Sequence, residues 1–355
     1  MANKRISELA SASALSGAEV LPIVQVGATK KVTTQAIADL AGGGIPSVTI
    51  VADGSIGGPL TIGCNTTLFI PEDTNGTVQA EIKILPNIGI SGGGGYGGGP
   101  VTATTISFPD LELAGDFQIQ GVNSLVSLSA NALVRSTNQV SVYNNSSLQS
   151  LSLANLETTT YLTLGNTPNL TSLSFPKLKS VTNGLSINGP ISSTITGYTS
   201  AIFPVLETAN IGWGYSYLSS FNVDLPNLKK LTGLSGTNSV ASLTINLPNL
   251  IEVTNASLYI SYISGLTNLI LGTPGVTKKW GVGNNPNISA NNCALNQASV
   301  DNLLSVLASL DGTNGTTAAN NGSLYLTYGS NASPSSTGLA AKAVLLNRGW
   351  YIQHN

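Results

Sequence analysis

Few side chains in this sequence could perform acid–base or metal chemistry. The only histidine is His354, and Ser-His-Asp, Cys-His and histidine-based zinc sites all need one, so the sequence argues against those classes. Paired carboxylates remain, and these cleave glycosidic bonds when they lie roughly 5 to 9.5 Å apart. Asp110, Glu112 and Asp116 are close in sequence, but we expect them on a solvated end face. We predict no enzyme, no metal and no cofactor.

Aromatic residues are the better candidates for a functional site. Trp213, Tyr215 and Tyr217 alternate with small residues, so in a strand all three side chains would lie on one side. Tyr259 and Tyr215 occupy the same position in two sequence repeats, each nine residues after a leucine (Leu250 and Leu206). Tyr262 is close to Tyr259 in sequence. Aromatic rings on a β face either stack on sugars or pack against the core or another chain. The sequence leaves both interpretations open.

A repeated phrase organises the chain around these residues. It consists of a bulky apolar residue, usually a proline, any residue, and then an anchor leucine. The anchors are Leu111, Leu133, Leu156, Leu178, Leu206, Leu228 and Leu250. They are 22 or 23 residues apart, except that Leu206 follows Leu178 by 28. A fixed period of this size predicts a solenoid, in which each coil buries its apolar face against its neighbours.

Each repeat has room for two short strands and no helix. Before the anchors, apolar residues alternate with serine and threonine, as in 170–175, which is the pattern of a half-buried strand. Glycine and asparagine follow the second strand, where tight corners are needed. We therefore predict a mainly β fold, namely a β-solenoid of about seven 22-residue coils with a small N-terminal anchor, a β-rich shoulder and a C-terminal α/β cap.

The residue after the anchor predicts a column of alternating charge, formed by Glu157, Lys179, Glu207 and Lys229. If coils stack about 4.8 Å apart, opposite charges become neighbours along the column. We expect a salt-bridge ladder on the outside of a corner. Exposed pairs contribute only ~0–1 kcal/mol each, so the ladder would fix the register of the coils more than their stability.

The chain divides into four predicted regions: an attachment segment (1–44), the shoulder with a glycine-rich loop (45–105), the solenoid (106–285) and the cap (286–355). Only 8% of residues are charged and the formal net charge is −2, which favours self-association. The sequence has no basic patch, which argues against nucleic acid. It has no apolar run near 20 residues, which argues against membrane insertion.

Two segments resemble known families. The run Leu148-Gln-Ser-Leu151-Ser-Leu153, and its fuller form over 170–187, resembles leucine-rich repeats of the receptor L-domain type. This resemblance implies binding or display rather than catalysis. Another resemblance is to the N-terminal segment of tailed-phage fibre and spike proteins, and it rests on Ile6-Ser-Glu-Leu9, Gly17, Glu19 and Pro22-Ile-Val-Gln25.

Together these resemblances imply a phage tail fibre or receptor-binding protein. Residues 1–44 would attach to a tail or baseplate protein, the chain would form a homotrimer, and its partner would be a host-surface glycan or protein. We expect it in the virion after synthesis in the host cytoplasm, because the N-terminus has no signal peptide. Two alternatives remain open, a polysaccharide-degrading tailspike and a structural baseplate or collar component.

Overall fold

A computed structural model describes residues 20–25, 28–33, 55–61, 67–68, 75–91 and 102–355, the last range with gaps at 192–194, 196, 214–219, 237–240, 282–284 and 314–315. The strands are β1 (Val20–Gln25), β2 (Ala28–Thr33), β3 (Ser55–Thr61), β4 (Thr67–Leu68), β5 (Asn75–Ser91), β6 (Thr102–Ser107), β7 (Leu113–Gln120), β8 (Ser127–Ser129), β9 (Arg135–Ser136), β10 (Gln139–Tyr143), β11 (Ser150–Ser152), β12 (Thr158–Thr167), β13 (Ser180–Ile191), β14 (Gly197–Thr199), β15 (Thr208–Trp213), β16 (Ser220–Asp224), β17 (Lys230–Gly236), β18 (Ser242–Leu247), β19 (Glu252–Val253), β20 (Ser257–Tyr259), β21 (Leu266–Leu271), β22 (Lys279–Trp280), β23 (Asn287–Ser289), β24 (Ser323–Leu326) and β25 (Tyr351–His354). The helices are α1 (Gln297–Ser309) and α2 (Ser336–Asn347).

Equivalent strands of successive coils pair in parallel and in register. Ser127 lies beside Ser150, and Val140 lies beside Leu162, so the sequence period is also the spatial period. Apart from the β1-β2 pair, the strands form one long sheet and two shorter ones, ordered β14-β16-β18-β21 and β20-β23-β24-β25. This arrangement confirms the predicted β-solenoid of about seven coils.

The anchor leucines form the centre of the core. All seven, from Leu111 to Leu250, have no exposed surface, and a fully buried leucine contributes about 1.5–3 kcal/mol. Where asparagine precedes the anchor, its side chain ties the corner to the preceding coil. Asn227 Nδ2 donates to the carbonyl of Pro204 (2.7 Å), and Asn249 Nδ2 donates to that of Pro226 (2.9 Å). These bonds explain the preference for asparagine in the variable position of the repeated phrase.

The one long coil accommodates its extra residues around Tyr198. The ring is fully buried and packs edge-on against Phe221, with ring centroids 5.2 Å apart. Its hydroxyl accepts a hydrogen bond from the N–H of Ile187 (2.7 Å) and lies within hydrogen-bond distance of the carbonyl of Gly212. Burial raises the pKa of this hydroxyl, so it stays protonated. The insertion therefore brings its own satisfied polar group into the core.

At the C-terminal end, helices replace one strand of each coil. Ser299 on α1 accepts a hydrogen bond from the N–H of Leu269 in β21 (2.9 Å), so α1 lies where the next strand of that sheet would be. The opposite sheet continues without interruption through β23, β24 and β25. The α/β cap is therefore an extension of the solenoid on one side.

The N-terminal part is described only in strands. β1 and β2 pair antiparallel with Gln25 opposite Ala28, as expected for a hairpin. The predicted boundary at residue 44 and the predicted glycine-rich loop lie outside the described residues. Neither of the two described helices is long and apolar enough to cross a membrane.

Candidate binding surface

Of the aromatic residues predicted from sequence, the structure describes Trp213, Tyr259 and Tyr262, and Trp213 lies apart from the other two in the core. Trp213 is only 3% exposed and packs against Phe221 with ring centroids 6.5 Å apart. The residue paired with Trp213 in the next coil is Gly236, and its lack of a side chain leaves room for the indole ring. A Cβ atom at position 236 would overlap that ring. Of the two interpretations that the sequence leaves open, core packing therefore applies to Trp213, which is not available to a surface ligand. Tyr215 and Tyr217 lie outside the described residues.

Tyr259 and Tyr262 are exposed, and the structure groups them with three tyrosines of the cap that sequence reasoning missed. The exposed fractions of Tyr262 and Tyr328 are 66% and 69%. Tyr325 is half-buried, with its ring centroid 5.8 Å from that of the exposed Tyr351. We call this group of five, Tyr259, Tyr262, Tyr325, Tyr328 and Tyr351, the tyrosine surface.

The sheet β20-β23-β24-β25 positions three members of the tyrosine surface. Tyr259 pairs with Ser289, Ser289 pairs with Tyr325, and Tyr325 pairs with Gln353. Tyr351 lies in the neighbouring row, two residues back along the strand. Side chains alternate along a strand, so this row points away from the core. The residues that precede and follow each member along its own strand point inward.

The other two members, Tyr262 and Tyr328, occupy the corner that follows the same strands. Their φ angles are 63° and 61°, in the left-handed region, and Asn292 between them has φ 54°. The N–H of Tyr262 donates to the carbonyl of Asn291 (2.7 Å), and the N–H of Asn292 donates to that of Thr327 (3.1 Å). The three residues are therefore equivalent positions of successive coils.

Tyrosine is an unusual residue for this corner. In earlier coils the corner residues with positive φ are Gly121, Asn144 and Asn166, and the N–H of Asn144 donates to the carbonyl before Asn166 in the same way (3.0 Å). Glycine and asparagine tolerate left-handed φ, whereas a bulky residue there is strained. The strain at Tyr262 and Tyr328 points to a role for the rings beyond folding.

A sequence signal for the tyrosine surface exists. Residues 258–262 read Leu-Tyr-Ile-Ser-Tyr and residues 324–328 read Leu-Tyr-Leu-Thr-Tyr. In both copies the apolar residues are buried and the second tyrosine is exposed at the corner. This duplicated motif identifies the two coils, although the 22-residue period fails between them.

The surroundings of the tyrosine surface are polar and uncharged. Residues 257–263, 285–296 and 320–333 contain no Asp, Glu, Lys or Arg. Asn291 Oδ1 accepts hydrogen bonds from the N–H and the hydroxyl of Thr327 (2.9 and 3.1 Å). Asn287 Nδ2 donates to the hydroxyl of Tyr259 (3.1 Å). Hydroxyl and amide groups are therefore held in fixed positions beside the rings.

The charged column lies on a different edge of the solenoid. Lys179 Nζ is 2.9 Å from Glu157 Oε2, and Lys229 Nζ is 2.5 Å from Glu207 Oε1. The hydrogen bond and the positive charge of Lys179 lower the pKa of Glu157. A neighbouring column continues the pattern, with Glu252 between two lysines at 3.4 and 3.5 Å. All of these groups are solvent-accessible, so each pair is worth little by itself.

The acidic cluster at the first coil is also accounted for in the structure. Asp110 and Glu112 are exposed, and Asp116 Oδ1 accepts a hydrogen bond from Asn138 Nδ2 (2.6 Å). Within the described part of the chain, no group of three or more His, Cys, Asp or Glu side chains could hold a metal ion. Comparisons with protein-family models, with curated proteins and with solved structures give no match for the chain.

Proposed function

We propose that the protein is a phage tail fibre or related receptor-binding protein, which recognises a glycan on the host surface through the tyrosine surface and performs no turnover. The observation that carries this proposal is the concentration of exposed tyrosines on one uncharged face. Large exposed aromatic groups on a protein surface mark interaction sites. The resemblance of residues 6–25 to the attachment segments of phage fibres supplies the biological setting.

The chemistry of the surface suits a sugar. A tyrosine ring offers an apolar face for the C–H groups of a pyranose and a hydroxyl for its polar edge. The amides of Asn287 and Asn291 lie beside the rings and already take part in hydrogen bonds. Such fixed polar groups around aromatic rings give orientation and specificity to a ligand site.

In this proposal the other regions serve assembly. Residues 1–44 attach the protein to a tail or baseplate protein, and the solenoid carries the tyrosine surface away from that point. The protein acts as a homotrimer in the virion. The scarcity of charge, 8% of residues, supports self-association, because charge is what keeps protein surfaces apart.

The test is binding of the purified oligomer to a panel of Gram-negative and Gram-positive bacteria, with release of reducing sugar measured in the same samples. The Tyr259→Ala/Tyr262→Ala variant should lose binding. The control is Tyr161→Ala, which removes an exposed tyrosine from a distant coil. Release of sugar would favour the polysaccharide-degrading alternative, and absence of binding to every strain would favour the structural one.

A further inference from the structure

We infer that the two tyrosine motifs form the walls of a slot that holds one uncharged sugar ring, with the coil between them as its floor. This inference rests on the proposed function and goes beyond it by stating the charge of the ligand and how it is held. The walls are Tyr259 with Tyr262 and Tyr325 with Tyr328. The floor is Ser289, Asn291 and Asn292, which we call the slot floor.

The alternation of large and small side chains creates the slot. Along the strand row the order is Tyr259, Ser289, Tyr325. Along the corner column it is Tyr262, Asn292, Tyr328. In both rows a small polar residue lies between two tyrosines. The ring of Tyr259 is held by a hydrogen bond from Asn287 Nδ2 of the middle coil to its hydroxyl (3.1 Å), so the middle coil is the lower one and is flanked by rings.

The width of the slot decides what can occupy it. Two coil spacings separate the walls, which is roughly 10 Å between equivalent backbone positions. Stacking contacts of about 3.5–4.0 Å on each side use most of that width. A sugar ring fits in the remainder, whereas an α-helix about 10–12 Å across does not. The slot therefore favours a glycan over a helical protein partner.

The slot floor is uncharged, with Asn291 and Asn292 half-buried and Ser289 buried beneath the row at 9% exposure. The hydroxyl of Ser289 is bonded to that of Ser261 (2.6 Å), and the Ser261 hydroxyl also accepts from the N–H of Asn291 (3.1 Å). Lys342, a cationic group of the cap, has its Nζ 2.9 Å from His354 Nε2. The side chains of the floor and walls are Tyr, Ser and Asn, which offer an acidic sugar no cation, so the ligand class is a neutral polysaccharide.

The backbone strain is explained by the slot. Asparagine at positions 262 and 328 would satisfy the corner, as it does at Asn292, but it would remove both upper edges of the walls. Strain that persists where a tolerated residue is available is a mark of functional sites. Tyrosines two coils apart, with asparagine between them, are what a slot of this width requires.

The experiment uses surface polysaccharide from bacteria that the protein binds, separated by anion exchange into neutral and acidic fractions. We expect binding to the neutral fraction, with an affinity that does not change with salt concentration. Tyr262→Asn and Tyr328→Asn should each weaken binding about tenfold, as expected for loss of one stacking contact.

The decisive variant is Asn292→Tyr, which fills the slot. Tyrosine already adopts this backbone conformation at both neighbouring positions, so the variant should fold. If the tyrosines form a slot, Asn292→Tyr abolishes binding, whereas on a flat stacking platform an added ring would preserve or strengthen it. The control is Asn166→Tyr, the same substitution at a left-handed corner far from the slot.

The outcomes separate this inference from the proposed function. Binding to cells combined with binding only to the acidic fraction, or with wild-type affinity for Asn292→Tyr, would overturn the slot and leave a receptor-binding protein. Failure to bind any strain would overturn both.

Discussion

The left-handed conformation of Tyr262 and Tyr328 gives a sharp prediction about stability. We consider replacing each tyrosine by alanine and, separately, by glycine. Both replacements remove the same ring with the same contacts. The difference in unfolding free energy between the two variants therefore isolates the backbone at that position.

The expected difference in unfolding free energy follows from the φ angles of Tyr262 and Tyr328, 63° and 61°. A residue with a Cβ atom costs roughly 1–2 kcal/mol in the left-handed region, and glycine does not pay this cost. Glycine loses about 0.4–1 kcal/mol through the greater freedom of its unfolded chain. We therefore expect each glycine variant to be more stable than its alanine counterpart by roughly 0.5–1 kcal/mol.

The assay is urea denaturation followed by tryptophan fluorescence. Trp280 and Trp350 are 3% and 4% exposed and lie in the coils that carry the tyrosine surface, so their emission reports unfolding of this end. The control pair is Tyr161→Ala and Tyr161→Gly within β12, where φ is not positive. There the alanine variant should be the more stable one.

A glycine variant no more stable than its alanine counterpart at position 262 or 328 would refute backbone strain there. Backbone strain would also be refuted if the control pair showed the same sign, because the effect would then not come from the corner. A correct sign at both corners would establish that the protein retains strained tyrosines where less strained residues are available.

Three further predictions concern the rest of the solenoid. Tyr198→Phe should lower stability by about 2 kcal/mol in urea denaturation, because it leaves a buried N–H without a partner. Gly236→Ala should cost about 1–3 kcal/mol and red-shift the fluorescence of Trp213, since the added methyl group displaces the indole ring; unchanged emission would contradict the packing. Lys179→Met should raise the pKa of Glu157 toward its ordinary range, as measured by carbon NMR titration. In the wild-type protein this pair favours the folded state at neutral pH and ceases to do so as the pH falls through the lowered pKa of Glu157.

The fold was predictable because a single period recurs in the chain. Leucine anchors at a constant spacing can only be buried together if the coils stack, and alternating apolar and hydroxyl residues leave no room for helices. Glu157 pairs with Lys179, and Glu207 with Lys229, as the period predicts, because insertions later in a coil do not shift the residue directly after its anchor.

The number of residues after the anchor does not identify equivalent positions in the second strand of a coil. Leu185 follows its anchor by seven residues and Ile211 by five, yet the two are paired. A β-bulge between Val181 and Leu185 accounts for the two additional residues. Equating Tyr259 with Tyr215 by their distance from the anchor was therefore not secure. Alternation along the strand could have assigned Trp213 to the core, because residues two apart share a face and Ile211 is also buried.

The cap tyrosines were missed for a different reason. The helices α1 and α2 lengthen the last coils, so the 22-residue period ends although the strands continue to stack. From the sequence, Tyr325 and Tyr328 are therefore assigned to a cap with no repeat of its own. The duplicated motif is the local signal that survives, but only the strand pairing of the structure shows that one coil separates its copies.

The most direct test of the central claim is chemical labelling of tyrosines in the intact oligomer, with and without the host surface polysaccharide, read by mass spectrometry. We expect Tyr262 and Tyr328 to be labelled readily in the free oligomer and to be protected when polysaccharide is added. Tyr161 should be labelled equally in both, and the buried Tyr198 in neither. If Tyr262 and Tyr328 were unreactive in the free oligomer, they would lie between chains, and if polysaccharide left their labelling unchanged, they would not be the binding surface.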